Sequence, residues 1–312
     1  MNNLKKYCLA FVVGGLCVLN TACDDKKVSN NKVVQQDDPE QQEIIKYNKY
    51  VNASNSYTIN VADELDKYID NIQTYKKDGD FQYYSSISGS SLKSLAERLD
   101  KAYSLPPKMD DLDTPAKKLS NAINAALPLL TELNDYQTAK TALVDKGKKV
   151  RDTEKEYVSL MKNVAESQEQ FSDAMEKQDE ANMRSLFDKA PKNSPEYYRG
   201  GIALYAKQAI REANTVFDLY REGKPSKEIN NNFTQSLNKL AEMATGCQPS
   251  KDTVNNFVGS GRGLLNKAEN GYLSPNSVSG SSPLMAQNLR NSVNNDYMQV
   301  INRINMYGCT FK

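Results

Sequence analysis

Apolar residues recur at three- and four-residue steps along most of the chain after residue 43, and this spacing predicts amphipathic α-helices. The first helix is predicted from Glu43 to a turn at residues 76–80. Its stripe contains Ile45, Ile59, Ala62, Leu65, Ile69 and Ile72, with Asn48, Asn52 and Asn55 at the earlier positions. A second helix, from Ser88 to Tyr103, has one apolar face, which consists of Leu92, Leu95, Ala96 and Leu99.

Two long helices are predicted in the middle of the chain. The first begins with Thr114 as N-cap and Pro115 at the first helical position, and Pro128 inside it predicts a kink. The second carries the longest apolar seam, which consists of Leu143, Val150, Tyr157, Met161, Val164, Phe171 and Met175, in register with Gly147, Glu154 and Gln168. Pro191 and Pro195 end this pattern.

Three later helices each begin with Pro beside Ser, at residues 195–222, 225–245 and 283–307. Three glycines make residues 250–270 less regular, and residues 271–282 are a predicted exposed loop. The sequence has no convincing strand pattern. It therefore predicts an all-α fold, a multi-helix up-and-down bundle of seven or eight mostly long helices.

The N-terminus has a different pattern, which predicts an export signal over residues 1–22. Two lysines at positions 5 and 6 precede an apolar run from Leu9 to Leu19, and small residues lead to Cys23. An uncleaved membrane anchor is the alternative. The apolar run is shorter than the about 20 residues that a spanning helix needs, and polar residues follow at once.

Cys23 is the predicted lipidation site, because a cysteine directly after small residues resembles a lipobox. The usual Leu three residues before the cysteine is replaced by Asn20. A lipid anchor would hold the protein on the periplasmic side of a bacterial envelope. Asp24 and Asp25 resemble a sorting signal that would favour the inner membrane in an enteric host. Residues 23–42 are predicted to be the lipidated cysteine and a disordered polar linker, and residues 43–312 the helical part, long enough for one large domain or two small ones.

Charge and composition narrow the possible activities. The formal net charge is +1, and it becomes −1 when the two lysines of the predicted signal are removed, so nucleic acid is not an expected partner. The mean hydropathy of −0.68 is typical of long helices that each bury a narrow stripe. The chain has no His, which excludes Ser-His-Asp and Cys-His catalysis and His-bearing zinc sites. No cofactor or metal is expected.

Cys247 and Cys309 are the pair that remains after export, and they are predicted to form a disulfide in an oxidising compartment. The alternative is two separate buried thiols. Neither cysteine belongs to a C-x-x-C motif, so redox catalysis is not expected.

Weaker signals suggest ligand sites, each with a structural alternative. Gly259, Gly261 and Arg262 could bind an anion, although the small residues could equally allow a close approach between helices. The acidic residues of 78–80 and 110–113 could bind calcium or be solvated turns. Tyrosines along the first helix could hold a glycan or a partner helix, or simply pack in the core. They are Tyr47, Tyr50, Tyr57, Tyr68 and Tyr75.

Several short motifs resemble those of the YiiG-like bacterial lipoprotein family, whose domain has no established activity. They are Cys23-Asp24-Asp25-Lys26-Lys27, Lys46-Tyr47-Asn48-Lys49-Tyr50, Asp135-Tyr136, Asp145-Lys146-Gly147-Lys148-Lys149 and Tyr197-Tyr198. The resemblance covers most of the chain after Cys23 and implies a helical envelope lipoprotein. The family's mid-chain motif often ends in His, which this chain lacks.

Two hypotheses about function follow. The first is a non-enzymatic module, tethered to the membrane by its lipid, that binds a protein, glycan or lipid partner in the envelope. The second is a hydrolase that acts on an envelope glycan with two carboxylates, a mechanism that needs no His. A pair of acids converging within about 10 Å in a deep cleft would favour the hydrolase.

Overall fold

The computed structural model describes residues 39–57, 59–78, 81, 84–274 and 283–309. These residues form α-helices joined by turns and contain no strand, which confirms the predicted all-α class. They form ten α-helices, more than the seven or eight predicted, because the first predicted helix is divided and a single-turn helix is present. The predicted signal, Cys23, Asp24 and Asp25 lie outside the described residues.

The chain divides into two compact units between Gln178 and Asp179. The division falls inside helix α6 (Lys148–Lys189), so one helix contributes residues to both units. An uninterrupted helical pattern crosses the boundary, and for that reason the sequence carries no linker signal there.

Unit 1 contains five helices before α6. They are α1 (Pro39–Ser56), α2 (Val61–Asp78), α3 (Gly89–Tyr103), α4 (Asp110–Thr138) and the single-turn α5 (Ala142–Asp145). Helix α3 packs on α1 and α4. Tyr50 of α1 lies against Phe171 of α6, and Tyr68 of α2 lies against Tyr157 of α6. As the chain advances from α1 to α2, its contacts move backward along α6, so α1 and α2 run antiparallel to α6. The chain direction therefore alternates along α1–α2, α3, α4 and α6.

Unit 2 contains the end of α6 and four more α-helices. They are α7 (Pro195–Arg221), α8 (Lys227–Ala244), α9 (Lys251–Glu269) and α10 (Pro283–Tyr307), with a 3-10 turn at Gln248–Ser250. Helix α7 packs on α8, α9 and α10, and α9 also packs on both α8 and α10. The core of this unit is built from apolar side chains, among them Ile202, Phe233, Leu240 and Phe257.

Serine caps explain where α7 and α8 begin. The Ser194 hydroxyl accepts a hydrogen bond from the Tyr197 amide at 3.1 Å, and the Ser226 hydroxyl accepts one from the Ile229 amide at 3.4 Å. These bonds satisfy amide groups that have no partner within the helix. Helix α8 therefore starts at Lys227, after its cap, and not at Pro225 as predicted.

Local capping also explains why the first and third predicted helices differ from the structure. The Asn60 side chain accepts hydrogen bonds from the amides of Ala62 and Asp63, so a new helix starts after residue 60 and the predicted single helix is divided. Helix α4 starts at Asp110, and not after Thr114, because the Asp113 carboxylate accepts a bond from the Met109 amide.

The predicted seam of α6 is correct from Val150 onward and wrong at its first residue. Val150, Tyr157, Met161, Val164, Phe171 and Met175 are all buried. Leu143 is 56% exposed, because the helical register does not continue through residues 146 and 147. Lys146 and Gly147 both have positive φ angles, of 56° and 74°, which end α5 before α6 begins.

Candidate functional site

A buried ion pair lies under the N-terminal end of α4. The Lys46 side chain is 1% exposed, and its Nζ donates to Asp113 Oδ2 at 2.8 Å and to the Pro107 carbonyl at 2.9 Å. The other oxygen of Asp113 accepts a hydrogen bond from the Tyr50 hydroxyl at 2.6 Å. Three groups from separate parts of the chain therefore satisfy one another inside unit 1.

This network fixes the α3–α4 turn to α1. Lys46 also donates to the carbonyl of Tyr103 at 3.4 Å, at the end of α3. Burial, and then the hydrogen bond to Asp113, raise the pKa of the Tyr50 hydroxyl far above its usual value. The hydroxyl therefore stays protonated and remains a donor to the Asp113 carboxylate.

A groove of about 620 Å³ lies next to this buried network, along the first half of α4, and Asp113 is one of its lining residues. We call it the α4 groove. It is lined by Tyr103, Lys108, Asp110, Asp113, Thr114, Lys117, Lys118, Asn121, Ala122, Ala125 and Asn163. The α4 positions from 110 to 125 extend over about 22 Å at 1.5 Å per residue. The groove can therefore accept an extended chain.

Three lysines and one exposed aromatic ring set the chemistry of the α4 groove. Lys117 lies over the half-exposed ring of Tyr103, with its Nζ 5.6 Å from the ring centre, and pairs with Asp100 at 3.0 Å. Lys118 donates to the neutral side chain of Gln170 at 2.9 Å. Among the residues that the structure describes, no ion pair engages Lys118, so its positive charge is available at the groove surface.

The two carboxylates that line the groove are both engaged. Asp113 is the buried partner of Lys46, and its oxygens accept from three donors. Asp110 pairs with Lys108 at 2.7 Å, and both of these side chains are exposed. Asp113 is therefore not free to act as a proton donor or nucleophile, and Asp110 is a solvent-exposed carboxylate on the rim of the groove.

The predicted cysteine pair is joined. Cys247 and Cys309 form a disulfide between the turn after α8 and the end of α10, with their Cα atoms 4.8 Å apart. Both residues are buried. The alternative of two separate thiols is therefore not observed.

The glycines proposed as an anion site lie within α9 and do not form a loop. Gly261 is buried, and a Cβ there would be 3.0 Å from a methyl carbon of Leu237 on α8, while Gly259 faces open space. Arg262 donates to the Asn238 side chain at 2.9 Å. Within a continuous helix the backbone amides donate to carbonyl oxygens of the same helix, so they are not available to bind an anion in this segment. The structural alternative, a close helix approach, holds at Gly261.

The tyrosines of the first two helices are mostly core residues. Tyr50, Tyr57 and Tyr68 are buried, and Tyr47 and Tyr75 are partly buried against the same core. Tyr50, Tyr68 and Tyr75 also pack against other aromatic rings inside unit 1. Of the two alternatives for these tyrosines, core packing is the one that the structure shows.

The acidic clusters have separate outcomes. Residues 79 and 80 lie outside the described residues. Asp110, Asp111 and Asp113 form the first turn of α4, where negative charge is favourable. No cluster of three metal-ligating side chains occurs among the described residues. None of the described helices combines the length and the hydrophobicity that a membrane span requires.

Sequence reasoning missed Lys46, Tyr103, Lys117, Lys118 and Asn121. A signal for Lys46 was available, because positions 46, 50, 53 and 57 follow the helical steps of the buried α1 stripe. A lysine on such a stripe needs a buried acid, which Asp113 supplies. The groove residues carry no comparable signal, since exposed Lys and Asn are common on any helix.

Comparisons with known proteins identify a family but no activity. The sequence model of the family described as "Protein of unknown function (DUF3829)" matches residues 41–306. No curated protein and no solved structure matches the chain. The YiiG-like resemblance and the lipid anchor stay predictions. Because the matched segment covers most of the chain and includes residues of both units, the protein belongs to the DUF3829 family.

Proposed function

We propose that the protein is an envelope-anchored bacterial lipoprotein whose helical part is a non-enzymatic binding module for an acidic glycan. The N-terminal sequence supports the anchor, because a charged start, an apolar run and small residues precede Cys23. The α4 groove is the observation that carries the binding proposal. In an enteric host, Asp24 would favour the inner membrane, with the module on the periplasmic side.

The groove offers the contacts that a sugar chain needs. A half-exposed ring such as Tyr103 can pack against the apolar face of a sugar. The side-chain amides of Asn121 and Asn163 each provide donors and an acceptor for hydroxyl groups. Carboxylate or phosphate groups on the chain would meet Lys117 and Lys118, and such charge-assisted hydrogen bonds are stronger than neutral ones.

The state of the two acids favours binding over hydrolysis. A glycosidase needs one carboxyl group that can donate a proton and a second that acts as base or nucleophile. Asp113 is held by Lys46 and Tyr50, which leaves the exposed Asp110 as the only other carboxylate among the residues that line the α4 groove. The carboxylate hydrolase is therefore not supported by this groove.

The anchor is tested by labelling cells with radioactive palmitate and comparing the wild type with Cys23→Ser. We expect label on the wild-type protein only, and we expect the variant to leave the membrane fraction under an alkaline wash. A wild-type protein that carries no label, or a variant that is labelled to the same extent, would contradict the anchor.

Glycan binding is tested by calorimetry with oligogalacturonate as an acidic probe and maltoheptaose as a neutral one. Loss of a stacking ring or of a charge-assisted bond is worth about 1–2 kcal/mol, so Tyr103→Ala and Lys118→Ala should each weaken binding of the acidic probe about tenfold. Tyr272→Ala is the matched control, because Tyr272 is equally exposed, at 45%, and belongs to unit 2. Equal loss in the control, or no binding of either probe, would contradict a glycan site in the α4 groove.

A further inference from the structure

A second surface of unit 1 lies at the turn between α4 and α6, which we call the α5 tip (residues 139–151). Its apolar part consists of Leu143 and Val144, which are 56% and 84% exposed. These neighbours occupy the single-turn helix α5, where both side chains point away from the core. Val144 has the highest exposed fraction of the large apolar side chains that the structure describes, and exposed apolar surface can mark a contact with a partner or a membrane.

The α5 tip is well ordered by hydrogen bonds from its own residues. The Asp145 carboxylate accepts from the Tyr136 hydroxyl at 2.5 Å and from the Gly147 amide at 2.9 Å. Arg151 donates to the Lys146 carbonyl at 2.5 Å. The Gly147 Cα faces the ring of Phe81, where a Cβ would be only 2.5 Å from the ring carbons. The exposure of Leu143 and Val144 is therefore a built feature of the turn.

Basic side chains surround the apolar pair. The tip contains Lys140, Lys146, Lys148, Lys149 and Arg151, and its only acid, Asp145, is engaged by Tyr136 and the turn amides. Asp152 and Glu132, just outside the tip, pair with Lys148 and Lys149. Among the described residues, no ion pair engages the other three cations, Lys140, Lys146 and Arg151. The tip therefore carries a local positive charge on a nearly neutral chain.

We propose that the α5 tip is a membrane contact, in which Leu143 and Val144 enter the interface of an anionic bilayer and the surrounding cations meet lipid headgroups. Small apolar insertions combined with basic residues are the pattern of peripheral membrane attachment. A stable protein interface buries roughly 1,200–2,000 Å² in total, which far exceeds what two side chains on a one-turn helix can cover. A bilayer needs no such matching area.

The position of the tip within unit 1 gives this contact an orientation. Helix α4 begins beside Lys46 of α1 and ends at the tip, a distance of about 43 Å at 1.5 Å per residue. The described chain starts at Pro39, near the opposite end of the unit. Contact of the tip with a bilayer therefore involves the end of unit 1 that lies farthest along α4 from Lys46, and not the end at which the described chain begins.

The experiment uses the chain from residue 23 onward with Cys23→Ser, so that no lipid anchor contributes and failure of the anchor proposal cannot affect the result. Sedimentation is measured with phosphatidylcholine vesicles, with and without phosphatidylglycerol. We expect binding only to the anionic vesicles, and weaker binding at high salt, because surface charges are screened. No sedimentation with either vesicle at low salt would overturn the proposal.

Paired variants assign the binding to the tip. Leu143→Ser with Val144→Ser should reduce vesicle binding about tenfold or more, because two apolar side chains no longer enter the interface. Lys140→Gln with Lys146→Gln should reduce it about fivefold per lysine. The control, Leu186→Ser with Met306→Ser, replaces two exposed apolar residues of unit 2 and should bind as the parent does. Equal binding by the tip variant, or equal loss in the control, would overturn the assignment.

A direct readout comes from an environment-sensitive fluorophore on Val144→Cys. In the chain that starts at residue 23 and carries Cys23→Ser, the only native cysteines are Cys247 and Cys309, and the disulfide joins them. The thiol introduced by Val144→Cys is therefore the only free one. We expect a blue shift on addition of anionic vesicles and none on addition of neutral ones. A fluorophore that stays in water while the protein sediments would show that another surface binds the membrane.

Discussion

Unit 1 and unit 2 are stabilised by different interactions. Unit 1 buries the charged pair Lys46–Asp113 together with a set of tyrosines, and its described residues contain no disulfide. Unit 2 buries apolar side chains and is cross-linked by Cys247–Cys309. Unit 1 is therefore expected to respond to changes in protonation, and unit 2 to changes in redox state.

Alkaline pH should have the largest effect, because it acts on many buried groups of unit 1 at once. Burial raises the pKa of Tyr157 to about 12, and it also raises the pKa values of Tyr57, Tyr68 and Tyr84. In the unfolded chain these hydroxyls ionise near pH 10, so the unfolded state releases protons first and unit 1 loses stability as pH rises above about 10. Ionisation of Tyr157 alone would lower the stability of unit 1 by about 2 kcal/mol at pH 12.

This transition can be followed by circular dichroism, since no tyrosine is buried among the described residues of unit 2. The near-ultraviolet tyrosine signal should disappear while part of the helical signal persists. The Tyr57→Phe variant removes a buried hydroxyl that has no hydrogen-bond partner among the described residues, and it should move the transition to higher pH. Simultaneous loss of both signals would contradict a difference between the units.

The substitution Asp113→Ala should have the next largest effect. It leaves the Lys46 charge buried without its partner and removes the acceptor of the Tyr50 hydroxyl, a loss of about 5 kcal/mol. Hydrogen exchange measured by mass spectrometry should show the loss of protection in residues 39–178.

The matched control for Asp113→Ala replaces the pair as a whole. Lys46→Met with Asp113→Leu removes both charges and should cost much less than the single change. If the single and double variants lose the same stability, the buried charge is not what unit 1 depends on.

Removal of the disulfide should reduce the stability of unit 2 by about 4 kcal/mol. The bond joins residues 62 apart, and a loop of that length restricts the unfolded chain by about this amount. Urea unfolding of the variant Cys247→Ala with Cys309→Ala gives the change, and the exchange of residues 39–178 should stay as in the parent. A loss of protection shared by both units would contradict separate stabilisation.

The glycines of α9 give the smallest effects and test how closely unit 2 is packed. Gly259→Ala adds a methyl group where no atom lies within 4 Å, so it should stabilise the helix by about 1 kcal/mol. Gly261→Leu forces a large side chain against Leu237 and Phe233 and should destabilise by about 2 kcal/mol. Thermal unfolding measures both, and changes of the same sign would contradict the packing of α9 on α8.

Local signals made much of the fold predictable. The predicted helix over residues 283–307 matches α10, and Ser194 caps α7 where Pro beside Ser indicated a helix start. The cysteine pair followed from elimination, because only two cysteines remain after the predicted export and lipidation. Each of these features depends on residues close together in sequence or on a simple count.

The parts that were missed depend on distant residues or on a change of backbone direction. Lys46 and Asp113 are separated by 67 positions, and neither residue indicates the other. Leu143 fits the apolar step of α6, but the left-handed backbone at Lys146 and Gly147 turns it to solvent. The α4 groove is formed by ordinary polar residues whose convergence depends on how α3, α4 and α6 meet.

The cross-link has a topological consequence. It closes residues 247–309 into a covalent ring that includes α9 and α10. A protease that cuts once within this ring opens it without releasing a fragment, so the nicked protein would migrate as one species until a reductant is added. The C-terminal helix would thus remain attached in an oxidising compartment even after a single cleavage in the segment before it.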